Sequence, residues 1–520
     1  MNAKRKLLIL VLILSMVLCA FAACGDDAEV VIDDGGDRGA DGSWDGVDFG
    51  GSTLRMCVSA NQENEVTFPA AVIYTKGPDA VTTDEVQKKV LARNDRIEKM
   101  LNLKVEYTLT DLGIYEVFDD IEKRVRGAAE DAPDIYNNDL YGLARAMMAG
   151  YLWNVKNPGA DASGKTVKNY FDFSYDGWNY EYMKGCTFDQ EKLYLLVGDY
   201  FLDTIRMAWV FYVNVDMFNE NSVALGYEDI DDFYEYVESG IWDYTEVARI
   251  SKAVWLDNGE EKNVTDAKDE RIGLVINHVS DHIFISSSGI TVFYQDENYN
   301  PKVMTNEEIG LFEEMASKLR VIMSGDGATN AKTQTGEGIY FDRLVLSSTE
   351  HFFKGNVLFA ASVLGELESV NMRDLSFQKG LVPFPKWSEQ RQEKYHTMVH
   401  NQGEIGAILQ NASSFGKASA FMQASNEESR DVIYEYYEKG LKFKYSEDKA
   451  LRSMIDLVYN TIDTPFGMEF GRVVLAEVGM NWISMNEAAV AGTVSSTFAS
   501  ESEMYANALR SAIEKFAKLE

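Results

Sequence analysis

Residues 102–108 read Asn102-Leu103-Lys104-Val105-Glu106-Tyr107-Thr108, with an apolar side chain at every second position. That period belongs to a half-buried strand, and what flanks it decides the fold class. On the N-terminal side, residues 83–101 put Val86, Val90, Leu91, Ile97 and Leu101 on one helical face with charges between. Before them, the β-rich stretch 53–58 follows Gly50 and Gly51, as a first strand would. On the C-terminal side, residues 114–130 return to helical periodicity, 134–136 read as a short strand, and 141–149 as a helix stopped by Gly150. Strand, helix, strand, helix, strand at this spacing builds a parallel sheet, so the chain is read as α/β. No internal repeat is visible.

The chain is 520 residues long, which calls for two or three lobes rather than one core. It carries 83 acidic against 49 basic residues, a formal charge of −34, and this balance argues against nucleic-acid binding. Its 46% hydrophobic content excludes a mainly disordered chain. Four cysteines exclude a disulfide scaffold, and eight prolines exclude a Pro-rich stalk.

Lys4, Arg5 and Lys6 precede the apolar run 7–23, in which Ser15 is the only polar residue, and small residues lead to Cys24. This is a secretory signal pattern over residues 1–23, with an uncleaved membrane anchor as the alternative. Phe21-Ala22-Ala23-Cys24 resembles the bacterial lipobox, with Phe in place of the usual Leu. The resemblance implies that Cys24 becomes the first mature residue and carries a diacylglyceryl thioether and an amide-linked acyl chain of the palmitate type, anchoring the protein in a lipid bilayer. Residues 24–50 alternate Asp with Gly, so they are read as an acidic, disordered tether rather than a calcium loop.

Several further stretches carry a resemblance: Ala132-Pro133-Asp134-Ile135-Tyr136; the helix end Met148-Ala149-Gly150-Tyr151-Leu152; Lys192-Leu193-Tyr194-Leu195-Leu196-Val197; residues 209–218, with Tyr212, Asn214, Asp216 and Phe218; Trp242-Asp243 ahead of Ala248; Phe352-Phe353-Lys354-Gly355-Asn356; and Gly380-Leu381-Val382-Pro383-Phe384-Pro385-Lys386. In this order they resemble the extracellular solute-binding proteins of family 1, the lipoprotein receptors of carbohydrate-type ABC importers. The chain departs from that pattern at Gly198-Asp199, where a proline is usual, and in residues 156–190, which read as an insertion. The resemblance implies a two-lobe, periplasmic-binding-protein-like fold of type II, with a cleft between lobes joined by crossover strands. Mapped onto this chain, lobe one takes 51–197 and 386–430, and lobe two takes 198–385 and 431–520. Helices are expected over 427–441, 448–462 and 503–519, the last with Tyr505, Leu509, Ile513 and Phe516 in one stripe.

Catalytic signatures are few. The pairs His278/His282 and His396/His400 lack the glutamate of a zincin motif, and Asp296, Asn298, Asn300 and Glu307 have Pro301 where a calcium loop needs glycine. Residues 296–301 read instead as a polar hairpin. No phosphate-binding loop or nucleophile elbow occurs, and acid pairs such as Asp231-Asp232 and Glu260-Glu261 read as solvated faces. No catalytic residue, metal or cofactor is therefore assigned. Cys57 and Cys186 read as separate thiols, with a disulfide as the alternative.

Binding chemistry is better represented. A sugar offers apolar faces to aromatic rings and hydroxyls to Asp, Asn, Glu and Arg. Open α/β sheets bind ligands at the carboxyl ends of their strands. Asn137, Asn138, Asp139 and Tyr141 follow the strand at 134–136. Asp199, Tyr200, Asp203, Thr204 and Arg206 lie past the first crossover with Trp209 behind them. Trp387 follows the return crossover, and Asn401, Gln402 and Glu404 lie in the next lobe-one segment. The ligand-binding set is Asn138, Asp139, Tyr141, Asp199, Tyr200, Asp203, Arg206, Trp209, Trp387, Gln402 and Glu404. The expected function is capture of a small solute, a carbohydrate, on the outer face of the cytoplasmic membrane and its delivery to the transmembrane subunits of an ABC permease. A surface glycosidase and a two-lobe sensor lipoprotein are the rival readings.

Overall fold

The computed structural model describes residues 35–59, 85–110, 112–127, 132–161, 164–256, 271–277, 280–323, 333–336, 339–342, 352–401, 403–444, 449–481 and 483–519. Cys24 and the signal segment lie outside them, as do Gln402 and His278.

Strands β1 (Ser52–Ser59), β2 (Leu103–Thr110) and β3 (Ile135–Asp139) run parallel, with β1 in the middle. The helices Glu85–Met100 and Val117–Gly127 connect them, burying Val90, Ile97, Val117 and Ile121. Leu54, Met56, Cys57 and Val58 are all buried, as both faces of a parallel sheet covered by helices must be.

The chain then crosses into a second sheet. There β4 (Trp209–Asn214) and β5 (Ile272–Asn277) are followed by a separate hairpin, β6 (Phe293–Gln295) and β7 (Pro301–Val303), and by β8 (Thr333–Gly336), β9 (Ile339–Asp342), β10 (Val357–Val363) and β11 (Lys379–Pro383). The six-stranded order is β11-β4-β10-β5-β9-β8, with β4 antiparallel to both neighbours. Its core is aromatic: Phe211 meets Phe384 edge-on at 4.7 Å, and Phe233 stacks on Phe218 at 4.9 Å and stands against Trp242 at 5.3 Å. The chain returns as β12 (Glu404–Ile408), antiparallel to β3, and completes a four-stranded sheet, β12-β3-β1-β2.

Three chain segments lie side by side between the sheets. Leu196 pairs with Gly406 and Ala208 with Val399 in antiparallel bridges, and Thr397 pairs with Ile462 in a parallel one. His396 Nδ1 and Asp463 Oδ2 form a hydrogen bond across the second and third segments. Gly406 is required by close packing, because a Cβ there would lie 2.8 Å from Asn137 Oδ1 and closer still to the Tyr200 hydroxyl.

The structure corrects several expectations. Strand β3 extends to Asp139, because β12 supplies a ladder for the polar residues Asn137–Asp139 that local propensity does not. Residues 35–50 are not tether. Trp44, Val47 and Phe49 are buried, the Arg38 guanidinium lies 4.1 Å from the Trp44 ring and bonds Glu427 Oε1 at 2.9 Å, and Trp44 Nε1 donates to Glu427 Oε2 at 2.8 Å. Three apolar side chains among the aspartates suffice to seat the segment on lobe one. Residues 431–520 do not belong to lobe two alone. The helix Lys449–Asn460 packs on β11, but Arg430–Ile433 packs on Glu85–Met100, and Gly471–Ala476 and Val494–Ala517 touch the lobe-one helix Leu140–Met148 while Val494–Ala517 also touches Ile309–Met323 of lobe two. This C-terminal region bridges the lobes. In its last helix Tyr505, Leu509 and Phe516 are buried, but Ile513 is exposed and Ala512 takes the inward position. Cys57 and Cys186 are the separate thiols expected, both buried, and burial pushes Cys57 up to about 11. Asp296 caps the β6–β7 turn, accepting from the Asn298 and Asn300 amides at 3.0 and 2.9 Å. Among the described residues no helix is long and apolar enough to cross a membrane.

Candidate functional site between the lobes

The carboxyl ends of β1 and β3 present Ser59 and Asp139, and β12 begins beside them with Glu404, paired with Asp139. The second sheet presents its corresponding edge through Val363, at the end of β10, which is paired with Trp209 at the start of β4. The short helix Asp203–Arg206 on the first crossover packs on β12, and the segment 466–476 of the C-terminal bridge packs on the helix Leu140–Met148 that follows β3.

Asp139 has two tasks. Its Oδ1 accepts from the Gly142 amide at 2.8 Å and caps the helix Leu140–Met148, which explains an acid at this strand end. Its Oδ2 is buried with no protein partner. Burial, reinforced by the nearby Glu469 carboxylate, pushes Asp139 up to about 7 against the Gly142 amide and Arg472. Glu404 donates its amide to Asp203 Oδ2 at 3.2 Å, while its own Oε2 is buried without a partner. Burial raises Glu404 well above the usual carboxylate range, Asp203 adds to this, and Ser59 opposes it. Arg206 bonds both Asp203 and Glu368 at 3.3 Å.

From the C-terminal bridge come Glu469 and Arg472, 3.6 Å apart at their closest charged atoms. Both Glu469 oxygens are buried without a hydrogen bond, and burial raises its pKa despite Arg472. The Arg472 guanidinium stands 4.5 Å from the Tyr141 ring and donates to the Tyr115 hydroxyl at 3.3 Å. His282 and His400 face Arg472, and burial together with that positive charge lowers each to about 4, so both are neutral at physiological pH. His400 stacks on Trp209 at 5.3 Å, and the indole Nε1 is buried without a partner. The Asn137 amide and Asn138 Nδ2 are likewise buried and unbonded within the protein. Beyond Arg472, a cavity of about 50 Å³ is lined by His282, Phe293, Phe312, Met485, Asn486 and Tyr505 among others.

Of the set expected from sequence, Asn138, Asp139, Tyr141, Asp203, Arg206, Trp209 and Glu404 are brought to this interlobe region. Three others lie elsewhere. Tyr200 is core: its hydroxyl donates to Leu196 O at 2.9 Å and its carbonyl accepts from Arg93 at 3.0 Å. Trp387 packs within lobe two, its amide bonded to Gln392 and Lys318 5.4 Å from its ring. Asp199 is half-buried near Asp176, and burial followed by that like charge raises it to about 7. Gln402 lies outside the described residues.

Sequence reasoning missed Glu469, Arg472 and Tyr115, and it treated His282 and His400 only as metal-motif candidates. The one available signal was the Glu469/Arg472 pair inside an otherwise apolar run, Phe466 to Leu475. Among the described residues no group of three or more His, Cys, Asp or Glu side chains is arranged to hold a metal ion.

No protein-family model and no curated relative matches the chain. Solved structures do. The galacto-N-biose/lacto-N-biose I-binding protein of the ABC transporter from Bifidobacterium longum, in complex with lacto-N-biose, is 14% identical and matches 89% of this chain and 98% of its own, with a TM-score of 0.53. The cyclic α-maltosyl-1,6-maltose binding protein from Arthrobacter globiformis is 12% identical and matches 89% of this chain and 99% of its own, with a TM-score of 0.50. At such identities the likeness is one of fold: this chain has the two-lobe, periplasmic-binding-protein-like α/β fold.

Proposed function

We propose that this protein is a family 1 solute-binding protein of an ABC importer, which captures a carbohydrate between its lobes and delivers it to the transmembrane permease. The observation that carries the reading is the set of buried polar atoms without hydrogen-bond partners near the two sheet edges: Asp139 Oδ2, Glu404 Oε2, Trp209 Nε1 and both Glu469 oxygens. Buried polar atoms are normally satisfied, each orphan costing about 1–3 kcal/mol, so a cluster of them at strand ends marks a place for a hydrogen-bonding guest. A saccharide supplies hydroxyls that donate and accept, and Trp209 and Tyr141 supply aromatic surface for its C–H faces.

Capture rather than bond cleavage is the reading that the likeness to sugar-binding proteins of ABC transporters supports. Because the orphan groups come from both lobes and from the bridge between them, a ligand that satisfies them favours the closed arrangement over an open one, with the three crossover segments as the hinge. Cys24, acylated, anchors the chain to the outer face of the cytoplasmic membrane, and the folded body begins by residue 35.

The test is a screen of mono- and oligosaccharides by thermal shift, followed by small-angle scattering on the hits. At least one saccharide raises the melting temperature and reduces the radius of gyration. A broad panel with no stabilising member, or binding with no compaction, refutes the reading.

A further inference from the structure

We infer that the guest of this cleft carries a cationic group, making it an amine-bearing saccharide whose ammonium is received by Asp139 and Glu469. This rests on the proposed function and narrows its ligand class. The argument is one of charge and burial. Asp139, Glu404 and Glu469 retain only 3, 6 and 1% exposure, and each has at least one carboxylate oxygen without a partner. The guanidinium groups set against this cluster are already engaged: Arg206 serves Asp203 and Glu368 at 3.3 Å each, and Arg472 is divided among Glu469, Tyr141 and Tyr115. His282 and His400 contribute no charge at neutral pH.

A buried carboxylate is tolerated when it is paired with a cation or carries a proton. A neutral sugar hydroxyl bonds such a buried acid in its protonated form and draws nothing from the excess of acids over guanidinium groups. An ammonium has three donors and a positive charge, which matches acceptor-only carboxylates in both number and sign. The groups facing Asp139 are Glu469 and Arg472 from the bridge, Glu404 from β12, and the Gly142 amide from its own helix. Without a ligand, Asp139, pushed up to about 7, carries a proton about half the time at neutral pH, and burial raises Glu404 and Glu469 in the same direction. When an ammonium enters, the carboxyl proton passes to the buffer and the carboxylate pairs with the ligand, so binding releases protons.

The experiment is calorimetry on the full folded chain with paired saccharides of one to four residues, in both α and β linkages. Each glucosamine-based ligand is matched to the glucose-based one of the same length, in two buffers of different ionisation enthalpy at pH 7. The expected result is at least about tenfold tighter binding of an amine ligand than of its neutral match, with about half a proton released per ligand bound at pH 7. In Glu469→Gln the amine-to-neutral affinity ratio collapses towards one. Neutral ligands binding as well as or better than their amine matches overturn the inference and leave the proposed function standing. An amine ligand that binds with no proton released overturns the exchange with Asp139. If neither series binds, the proposed function itself fails, and this inference with it.

Discussion

Asp139→Asn separates the capping role of Asp139 from its charge, because asparagine caps a helix as well as aspartate and keeps the Gly142 bond. In the folded protein Asp139 is pushed from 3.8 to about 7, mainly by burial. A shift of about 3 units, at about 1.36 kcal/mol per unit, is worth about 4 kcal/mol. Its sign follows from the raised pKa. Between pH 3.8 and about 7 the native state keeps a proton that the unfolded chain has released, so the stability from this group is full below 3.8 and is lost as pH rises through 7. The asparagine variant has no such loss. Its extra buried Nδ2 shifts the whole curve by a constant, so the slope is the informative quantity: variant minus wild-type stability rises by up to about 4 kcal/mol between pH 4 and pH 8. Opening of the lobes, which hydrates Asp139 without unfolding, sets the ceiling. Urea unfolding followed by tryptophan fluorescence and circular dichroism at unit pH steps measures this. A difference flat to within about 1 kcal/mol across that range refutes the assignment of Asp139 to a dry, acid-rich pocket.

Trp44→Ala costs about 3–5 kcal/mol and removes one of the hydrogen bonds held by Glu427. A chain beginning at residue 35 therefore melts like the full chain, and one beginning at residue 51 melts lower in differential scanning fluorimetry; equal melting of all three contradicts the packing of residues 35–50. Gly406→Ala forces a methyl to 2.8 Å from Asn137 Oδ1 and destabilises by about 1–3 kcal/mol, read as a lowered urea midpoint. Where the second and third crossover segments meet, burial raises Asp463, but the hydrogen bond with His396 leads the interactions that outweigh it and hold the carboxyl below its ordinary value. Stability from Asp463 is thus present above its unfolded pKa and lost as pH falls, so His396→Ala is less stable by about 1–3 kcal/mol at pH 7 with the gap closing towards pH 3, which a melting series in pH checks.

The sequence was most legible where burial and backbone pairing act locally. The period-two run at Leu103, Val105 and Tyr107 became β2, and the apolar stripe of Val90 and Ile97 became the covering helix. Residues 35–50 were misread because composition weighs aspartate and glycine by number, whereas Trp44, Val47 and Phe49 act by the area they bury. Tyr200 and Trp387 were misplaced for a related reason. A polar-tipped aromatic beside a crossover has the same sequence signature whether its ring faces a cleft or fills a core, and only the Leu196 bond of the Tyr200 hydroxyl and the burial of Trp387 distinguish the cases.

By itself the sequence determined that the chain alternates strands and helices and that Asp139 follows a strand end, while the lobes, their crossovers and the places of Asp203 and Glu404 came from the resemblance to a known family. The first two are short-range properties, set by side-chain periodicity and by where runs begin and end. The tertiary structure alone decided that Glu469 and Arg472 meet Asp139, that His400 stacks on Trp209, and that the C-terminal bridge joins both lobes. The physical reason is that dry, partnerless carboxylates exist only where segments hundreds of residues apart together exclude water, and no local pattern in the chain records which distant segment will do so.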